Sequence, residues 1–385
     1  MHPARAPVTL TALALLSFVL GSVHAFSVLV DPLIVRFDAS VASVSAIYSL
    51  ALVAIAAMVS IGHRFYAATS AAGLVACLTA VGVIGIMLAG QGGALPLVWL
   101  GYGVLFGAAN GAGYGYALQL SAQVSPGREG LAMGAITAAY AGGATVFPAS
   151  FDIALQDGVT RAMTVLAAVL GSIGAASAAL LVWSGARFRQ EADESGRFSV
   201  PLGRIAMLWC AYGAAVLAGL MTMGHAVGIA RTLGVAEAML VAAPMVIAIC
   251  NMGGSLTGGW LADRVDARIL LTGLPLVSGI ALTVLVLDVP LSTLGALGVI
   301  GLVYGAVISA YPAVIARRFG VAAGVPVYGR VFTAWAFAGI CGPMLAGAMF
   351  DATGLFRTAL MVAAVLSCAS AALAWWTRDR EELSG

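Results

Sequence analysis

Residues 8–30 read VTLTALALLSFVLGSVHAFSVLV, an apolar run whose single ionisable side chain is His24. About 20 residues of helix are needed to cross the hydrocarbon core of a bilayer. The run therefore predicts a membrane-spanning helix. The basic start of the chain and the sequence Val23-His24-Ala25 also resemble a signal peptide with its cleavage site. The internal repeat described below disfavours that alternative, because it requires a permanent first helix.

Runs of the same kind continue along the whole chain. Of its 385 residues, 62% are apolar and 9% are charged, whereas a soluble domain carries about 25% charged residues. The runs are apolar on all sides, which disfavours β-barrel strands because these alternate apolar and polar residues. The sequence thus predicts an all-α membrane protein of twelve transmembrane helices. The predicted helices lie near Val8–Val30, Val41–Ile61, Phe65–Ala89, Pro96–Ala122, Leu131–Phe151, Thr160–Trp183, Ile205–Ala230, Ala238–Leu261, Ile269–Leu287, Leu291–Ala316, Val327–Met349 and Thr358–Trp376.

A polar connector divides these runs into two sets of six. Residues 184–204 form the one long charged stretch of the sequence. They predict a six-helix half at residues 1–183, a cytoplasmic linker at 184–204 and a second six-helix half at 205–385. Arg is distributed unequally between alternate loops, with Arg36, Arg161, Arg231 and Arg357 on one side and the other fourteen of the eighteen basic residues on the opposite side. Because basic residues mark cytoplasmic loops, both termini are predicted to be cytoplasmic, in a bacterial inner membrane.

The two halves repeat one another in sequence. Residues 101–104 (GYGV) match residues 303–306 (VYGA), and Phe151-Asp152 matches Phe350-Asp351. Two pseudo-symmetric halves related by an axis along the membrane normal predict a substrate site between them, near the middle of the bilayer.

The same offset relates two histidines. His24 and His225 lie 201 residues apart, and each is followed by Ala. Ionisable groups inside a membrane span are costly and suggest function, and His titrates near physiological pH. We therefore predict that His24 and His225 carry the coupling proton or bind an anion when protonated. The alternative is that each bonds a neighbouring helix backbone and stabilises packing.

Neutral polar side chains in the spans are predicted to line the substrate cavity. Asn110 and Tyr114, four residues apart, share a helix face, and so do Tyr304 and Tyr311, seven apart. Packing is the alternative role for each one. The predicted cavity residues are Asn110, Tyr114, Tyr140, Asn251, Tyr304, Tyr311 and Trp335.

A short charged turn joins the eighth and ninth predicted helices and reads GWLADRVDAR at residues 259–268. The Asp and Arg side chains of such a turn can pair across it or cap a helix end, and so hold one conformation closed. A solvated turn without a role is the alternative. The predicted cytoplasmic gate consists of Gly259, Asp263, Arg264 and Arg268, with Arg64 in the equivalent turn of the first half.

This turn resembles the signature of the major facilitator superfamily, which has a Gly, then Asp-Arg, a second Gly and basic residues between paired helices. Asp266 stands where the second Gly would be, and Ala267 stands where a basic residue would be. The first-half copy, Gly62-His63-Arg64, keeps only the Arg. The resemblance covers essentially the whole chain and implies the major facilitator fold and a secondary active transporter that works by alternating access.

The last third of the chain resembles the branch of monocarboxylate transporters and oxalate/formate exchangers. Tyr311-Pro312-Ala313, Arg318-Phe319-Gly320 and residues 328–335 (YGRVFTAW) carry this resemblance. It implies transport of a small, monocarboxylate-like organic anion, coupled to protons or by exchange. Trp335 stands where oxalate exchangers place a cation, and the eighth predicted helix contains no Arg. Both departures disfavour a dicarboxylate substrate.

Two other functions are alternatives. Proton-driven efflux of apolar or amphipathic compounds equally suits an aromatic, weakly charged cavity. An enzyme within the membrane would require clustered carboxylates, a Ser or Cys with a base, or paired His on one helix. It is disfavoured, because no two of the four His share a helix face. The sequence predicts no metal and no cofactor. The predicted partners are a small-molecule substrate, protons and the lipid bilayer, with no nucleic acid, for a monomeric protein.

Overall fold

The computed structural model describes residues 5–189, 200–288 and 292–377, which contain helices, turns and no strand. Twelve helices are long and apolar enough to cross a membrane, which confirms the predicted all-α membrane fold. Because water is absent from the bilayer core, each span satisfies its own backbone as a helix. The spans are α1 (Ala6–Phe37), α2 (Ala42–Arg64), α3 (Ala71–Gln91), α4 (Leu95–Gln123), α5 (Glu129–Leu155), α6 (Val159–Ser184), α7 (Leu202–Met223), α8 (Glu237–Ala262), α9 (Ala267–Val286), α10 (Thr293–Phe319), α11 (Ala323–Thr353) and α12 (Arg357–Trp376).

Several predicted boundaries are wrong by four residues or more, among them the start of the third helix, which was predicted at Phe65 and lies at Ala71. The first helix was predicted to end at Val30, but α1 continues to Phe37 and ends where Asp38 adopts a left-handed conformation with φ of 47°. The seventh was predicted to reach Ala230, but α7 ends at Met223, and a short separate helix follows at Ala226–Thr232. Gly224 at this break has low helix propensity.

The described residues group into two compact units. The first comprises residues 5–126 and 139–189, and the second comprises 127–138, 200–288 and 292–377. Helix α5 therefore contributes its first turns to the second unit and the remainder to the first. Residues 190–199 of the predicted linker lie outside the described residues. Leu291, the predicted start of the tenth helix, also lies outside them. So do three arginines of the charge count, Arg197, Arg378 and Arg380.

Glycines allow close helix packing within each unit. In the second unit, a Cβ atom added to Gly301 of α10 would lie 2.5 Å from the Ile247 carbonyl oxygen of α8. In the first unit, a Cβ atom on Gly143 of α5 would collide with the Phe18 carbonyl oxygen of α1, and one on Gly21 would collide with the Tyr140 carbonyl oxygen. Small residues let backbones approach and gain van der Waals contact in lipid, where the hydrophobic effect does not drive helix association.

The segment after α6 is held against the first unit. The Phe188 ring packs on Tyr66 and Tyr116, at ring-centre distances of 5.5 and 5.6 Å. The Gln123 side-chain amide donates to the Arg189 carbonyl oxygen and accepts from the Arg189 backbone N–H, both at 2.9 Å. Burial and the neighbouring Tyr116 phenol raise the pKa of Tyr66 above its ordinary value. Tyr66 therefore serves this aromatic cluster as a neutral group at physiological pH.

Candidate functional site

Helix α1 is irregular at its centre, and His24 lies in the irregular part. Residues Ala6–Leu20 form an α-helix, Gly21–Leu29 form a 3₁₀-helix and Val30–Phe37 return to the α form. Runs of 3₁₀-helix longer than three or four residues are uncommon and often mark a hinge or a strained sequence. The segment therefore needs support from its surroundings.

Two tyrosines surround His24. The His24 Nδ1 atom and the Tyr48 hydroxyl of α2 are 2.7 Å apart and share a hydrogen bond. The Tyr140 ring of α5 meets the imidazole edge-on, with ring centres 5.5 Å apart and planes at 81°. Phe26 stacks on Tyr48 at 5.8 Å. His24 is partly buried, and the phenols of Tyr48 and Tyr140 are two of its neighbours.

Asn110 and Tyr114 of α4 complete this group. Asn110 is fully buried, and it accepts a hydrogen bond from the Tyr140 hydroxyl at 2.8 Å. Its side-chain NH₂ donates to the Leu20 carbonyl oxygen at 2.5 Å. The Tyr114 and Tyr140 rings lie 4.8 Å apart. His24, Tyr48, Asn110, Tyr114 and Tyr140 are called the His24 cluster below.

The repeat-related histidine has different surroundings. His225 lies in the break after α7, and its Nε2 atom is 2.9 Å from the Pro343 carbonyl oxygen of α11. Because a carbonyl only accepts, Nε2 carries the proton. The imidazole also packs on the Phe356 ring, with ring centres 5.2 Å apart. His225 thus has the backbone contact that the packing alternative expects, whereas the hydrogen bond described for His24 is with the Tyr48 hydroxyl.

In the second unit the predicted cavity residues form two groups. The Trp335 indole N–H donates to the Tyr304 hydroxyl at 3.0 Å, and Trp335 stacks on Phe332 at 5.2 Å. Tyr311 packs on Tyr212 of α7, with ring centres 4.8 Å apart. Asn251 of α8 lies where α10 passes closely, and its side-chain oxygen would be 2.6 Å from a Cβ atom on Gly305.

The charged turn between α8 and α9 caps two helices. Asp263 accepts hydrogen bonds from the Gly130 and Leu131 backbone N–H groups at 2.7 and 2.8 Å, at the start of α5. Asp266 accepts from the N–H groups of Arg268 and Ile269 at 2.9 and 3.2 Å, at the start of α9. Carboxylates are stabilised at helix N-termini by these free donors and by the helix dipole. Both aspartates therefore cap helix ends, which is one of the two predicted roles of the turn.

The arginines of the turn lie on tryptophan faces. Arg264 lies over the Trp260 ring at 4.4 Å, and Arg268 lies over the Trp375 ring at 3.7 Å. Both are cation–π contacts. Arg64, in the equivalent turn of the first unit, is exposed, while the neighbouring His63 Nδ1 lies 3.0 Å from the Ser60 carbonyl oxygen. The first-unit turn therefore has no carboxylate in the position that Asp263 takes in the second.

Gly259 lets the turn approach α5. A Cβ atom on Gly259 would lie 2.9 Å from the Gly134 Cα atom and would collide with the Gly130 carbonyl oxygen. A Cβ atom on Gly134 would lie 2.5 Å from the Ser255 carbonyl oxygen. This close contact brings Asp263 within reach of the first backbone N–H groups of α5.

Two functional candidates are absent from the sequence predictions. Tyr102 of α4 donates from its hydroxyl to the Val23 carbonyl oxygen at 3.1 Å. Arg317 of α10 donates to the carbonyl oxygens of Ala262 and Val265, which stabilises the charged turn. The sequence contained an indication that Tyr102 is a candidate, because the internal repeat matches it with Tyr304.

Asp263→Ala is expected to expose the first backbone N–H groups of α5. The substitution removes two charge-assisted hydrogen bonds, which contribute about 2 kcal/mol together at a partly exposed site. Hydrogen exchange at Gly130 and Leu131 should accelerate by about 10-fold or more. Asp266→Ala is the matched control, because it should accelerate exchange at Arg268 and Ile269 instead. Equal exchange at Gly130 in both variants would show that Asp263 does not cap α5.

Comparison with known proteins supports the fold assignment. No protein-family model matches the chain. An Escherichia coli (strain K12) protein described as the uncharacterized MFS-type transporter YhjX is 26% identical over 357 residues, covering 86% of this chain and 85% of that protein.

Solved structures of the major facilitator superfamily (MFS) resemble the chain over nearly its whole length. The proton:xylose symporter XylE has a TM-score of 0.75 at 11% identity, covering 98% of this chain and 97% of that one. The E. coli fucose:proton symporter FucP has a TM-score of 0.68 at 16% identity, covering 96% and 98%. The human organic anion transporter MFSD10 has a TM-score of 0.69 at 12% identity, covering 97% and 100%. The chain therefore has the major facilitator fold.

Proposed function

We propose that this chain of major facilitator fold is a secondary active transporter working by alternating access, which moves a small, monocarboxylate-like organic anion with protons or by exchange. Its twelve spans and its similarity to a described transporter support transport. Two of the structures that it resembles are described as proton symporters, and a third as an organic anion transporter. Both termini are proposed to be cytoplasmic, with the protein a monomer in a bacterial inner membrane.

The His24 cluster is the observation that carries this proposal. His24 is an ionisable side chain within a span, where such groups are rare and usually functional. The phenols of Tyr48 and Tyr140 pack on it, and the neutral Asn110 amide lies behind Tyr140. A proton on the imidazole supplies a positive charge for a carboxylate, and the phenols supply neutral hydrogen-bond donors. Binding of the proton and of the anion would therefore favour each other.

We propose that His24 of the first unit and His225 of the second unit have different roles. The His225 N–H donates to the Pro343 carbonyl oxygen and holds the break after α7 against α11. This contact uses the imidazole as a packing group. The coupling role is therefore assigned to His24 and not to both histidines.

A second candidate function is proton-driven efflux of apolar or amphipathic compounds. The stacked rings of Trp335 and Phe332, with the Tyr304 hydroxyl bonded to the Trp335 indole, favour it. These side chains form an aromatic group whose polar atoms are neutral. Such a surface suits ring-containing solutes as well as small acids.

Transport into proteoliposomes separates the two candidates. Purified protein is reconstituted, and uptake of labelled lactate and pyruvate is followed with the outside at pH 6 and the inside at pH 8. Saturable uptake that stops when the proton gradient is collapsed, or that exchanges with acid loaded inside, supports anion transport. Resistance of overexpressing cells to amphipathic compounds, without acid uptake in liposomes, supports efflux and overturns the first proposal. Empty liposomes serve as the control.

A further inference from the structure

Two irregular helical segments contact each other in the first unit. The 3₁₀ segment of α1 spans Gly21–Leu29, and a π-helical segment of α4 spans Trp99–Phe106. The Phe26 and Tyr102 rings, one from each segment, lie 5.1 Å apart. Both kinds of helix are rare at this length, and both often occur at functional sites. Their contact indicates that each irregularity depends on the other.

Side chains of α4 donate to the α1 backbone at this point. Hydrogen bonds within a 3₁₀-helix have poorer geometry than those of an α-helix. A carbonyl oxygen has two lone pairs, so it can accept from a side chain as well as from the backbone. Leu20 is the last residue before the 3₁₀ segment, and its carbonyl oxygen accepts from the Asn110 side chain. The Val23 carbonyl oxygen, inside the segment, accepts from the Tyr102 hydroxyl. Asn110 and Tyr102 are both fully buried, where a donor without a partner is costly.

Asn110 also connects this backbone contact to His24. Its side-chain oxygen accepts from the Tyr140 hydroxyl, and the Tyr140 ring lies edge-on to the His24 imidazole. The same amide therefore determines the position of the α1 backbone and of one aromatic neighbour of His24.

We propose that Asn110 and Tyr102 are positioning residues that hold Gly21–Leu29 in the 3₁₀ form and thereby place His24 against Tyr48. A 3₁₀-helix rises about 2.0 Å per residue and an α-helix about 1.5 Å. Conversion of the nine residues to the α form would shorten the segment by about 4.5 Å and rotate His24 away from Tyr48. The consequence for transport rests on the proposed function, but the positioning itself does not.

Three α4 variants test this role. Tyr102→Phe removes one hydroxyl and its hydrogen bond to Val23, while Asn110→Leu removes the bonds to Leu20 and Tyr140. Tyr116→Phe is the matched control, because the Tyr116 hydroxyl is buried and has no hydrogen-bond partner among the residues described. Its ring packs on Tyr66 and Phe188.

Hydrogen exchange in nanodiscs measures the α1 backbone directly. Loss of a buried neutral hydrogen bond should accelerate amide exchange within Gly21–Leu29 by about 5- to 10-fold in Tyr102→Phe, and by at least as much in Asn110→Leu. Tyr116→Phe should leave exchange there unchanged. If Asn110→Leu does not fold, exchange in Tyr102→Phe alone tests the proposal. Equal exchange in Tyr102→Phe and Tyr116→Phe would overturn the proposal.

Nitrogen-15 NMR of labelled histidine measures how the α4 substitutions change the environment of the His24 imidazole. The His24 signals, assigned by their absence in His24→Ala, should shift in Tyr102→Phe and stay unchanged in Tyr116→Phe. These readouts need no substrate, so they test positioning even if the wild-type protein transports no acid. In that case the proposed function fails and the positioning role stands. Unchanged His24 signals in Tyr102→Phe, with acid transport intact, would overturn the positioning role alone.

Discussion

His24→Ala is expected to lower proton-driven uptake of the transported acid by at least about 100-fold, the size of effect produced when a positioned proton-transfer group is removed. The variant loses the imidazole that contacts the phenols of Tyr48 and Tyr140. In the wild type, uptake should fall as pH rises, because the charged form of the imidazole disappears. Initial rates in proteoliposomes between pH 5 and 8 measure both effects.

The matched control for this prediction is His225→Ala. This variant loses a hydrogen bond to the Pro343 carbonyl oxygen and should be less stable by about 1–2 kcal/mol. Its uptake per folded molecule and its pH profile should match the wild type. Full uptake with an unchanged pH profile in His24→Ala would remove the coupling role from His24. A loss confined to His225→Ala would transfer that role to the second unit.

Gly143→Ala is expected to destabilise the protein strongly, by about 3 kcal/mol or more. The added methyl group would collide with the Phe18 carbonyl oxygen, and backbone atoms cannot move aside as a flexible side chain can. The α1–α5 contact would have to open, which would also separate Gly21 from Tyr140. Thermal unfolding in detergent, followed by size-exclusion chromatography after heating, measures this loss.

A second glycine of the first unit provides the control. A Cβ atom on Gly171 of α6 would lie 3.6 Å from the nearest Val83 methyl group, which is ordinary van der Waals contact. Gly171→Ala should therefore be neutral or stabilise by up to about 1 kcal/mol, because Ala favours a helix over Gly. Similar stabilities for the two alanine variants would show that α1 and α5 do not pack closely.

Hydropathy predicts the number of spans because the bilayer imposes one length on every helix. The same signal places the end of α1 too early. The charged residue Asp31 interrupts the apolar run, although the helix itself continues to Phe37. Helical spacing also predicts that Asn110 and Tyr114 share a face, and both contact Tyr140 in the structure. Local sequence patterns therefore predict the helices and some of the contacts between their side chains.

The irregular segments and the difference between the histidines could not be predicted in the same way. Residues 21–29 and 99–106 are apolar like their flanks, and their geometry depends on hydrogen bonds between helices, such as Tyr102 to Val23. His24 and His225 are equivalent in the repeat, but Gly224 interrupts the helix before His225. Asp266 replaces a glycine of the superfamily signature, and only its contacts with Arg268 and Ile269 show that it caps a helix.

The π segment of α4 also affects how this chain tolerates insertions and deletions. Tyr102 and Asn110 are eight residues apart, and in a regular α-helix their side chains would point about 80° apart around the axis. The wider turns at Trp99–Phe106 reduce that angle, so both residues reach α1. Deleting one residue there would restore a regular helix and leave the hydropathy unchanged, yet it would turn Tyr102 away from Val23. In relatives of this protein, a one-residue gap within the segment would therefore mark a change at His24, even where every aligned residue is identical.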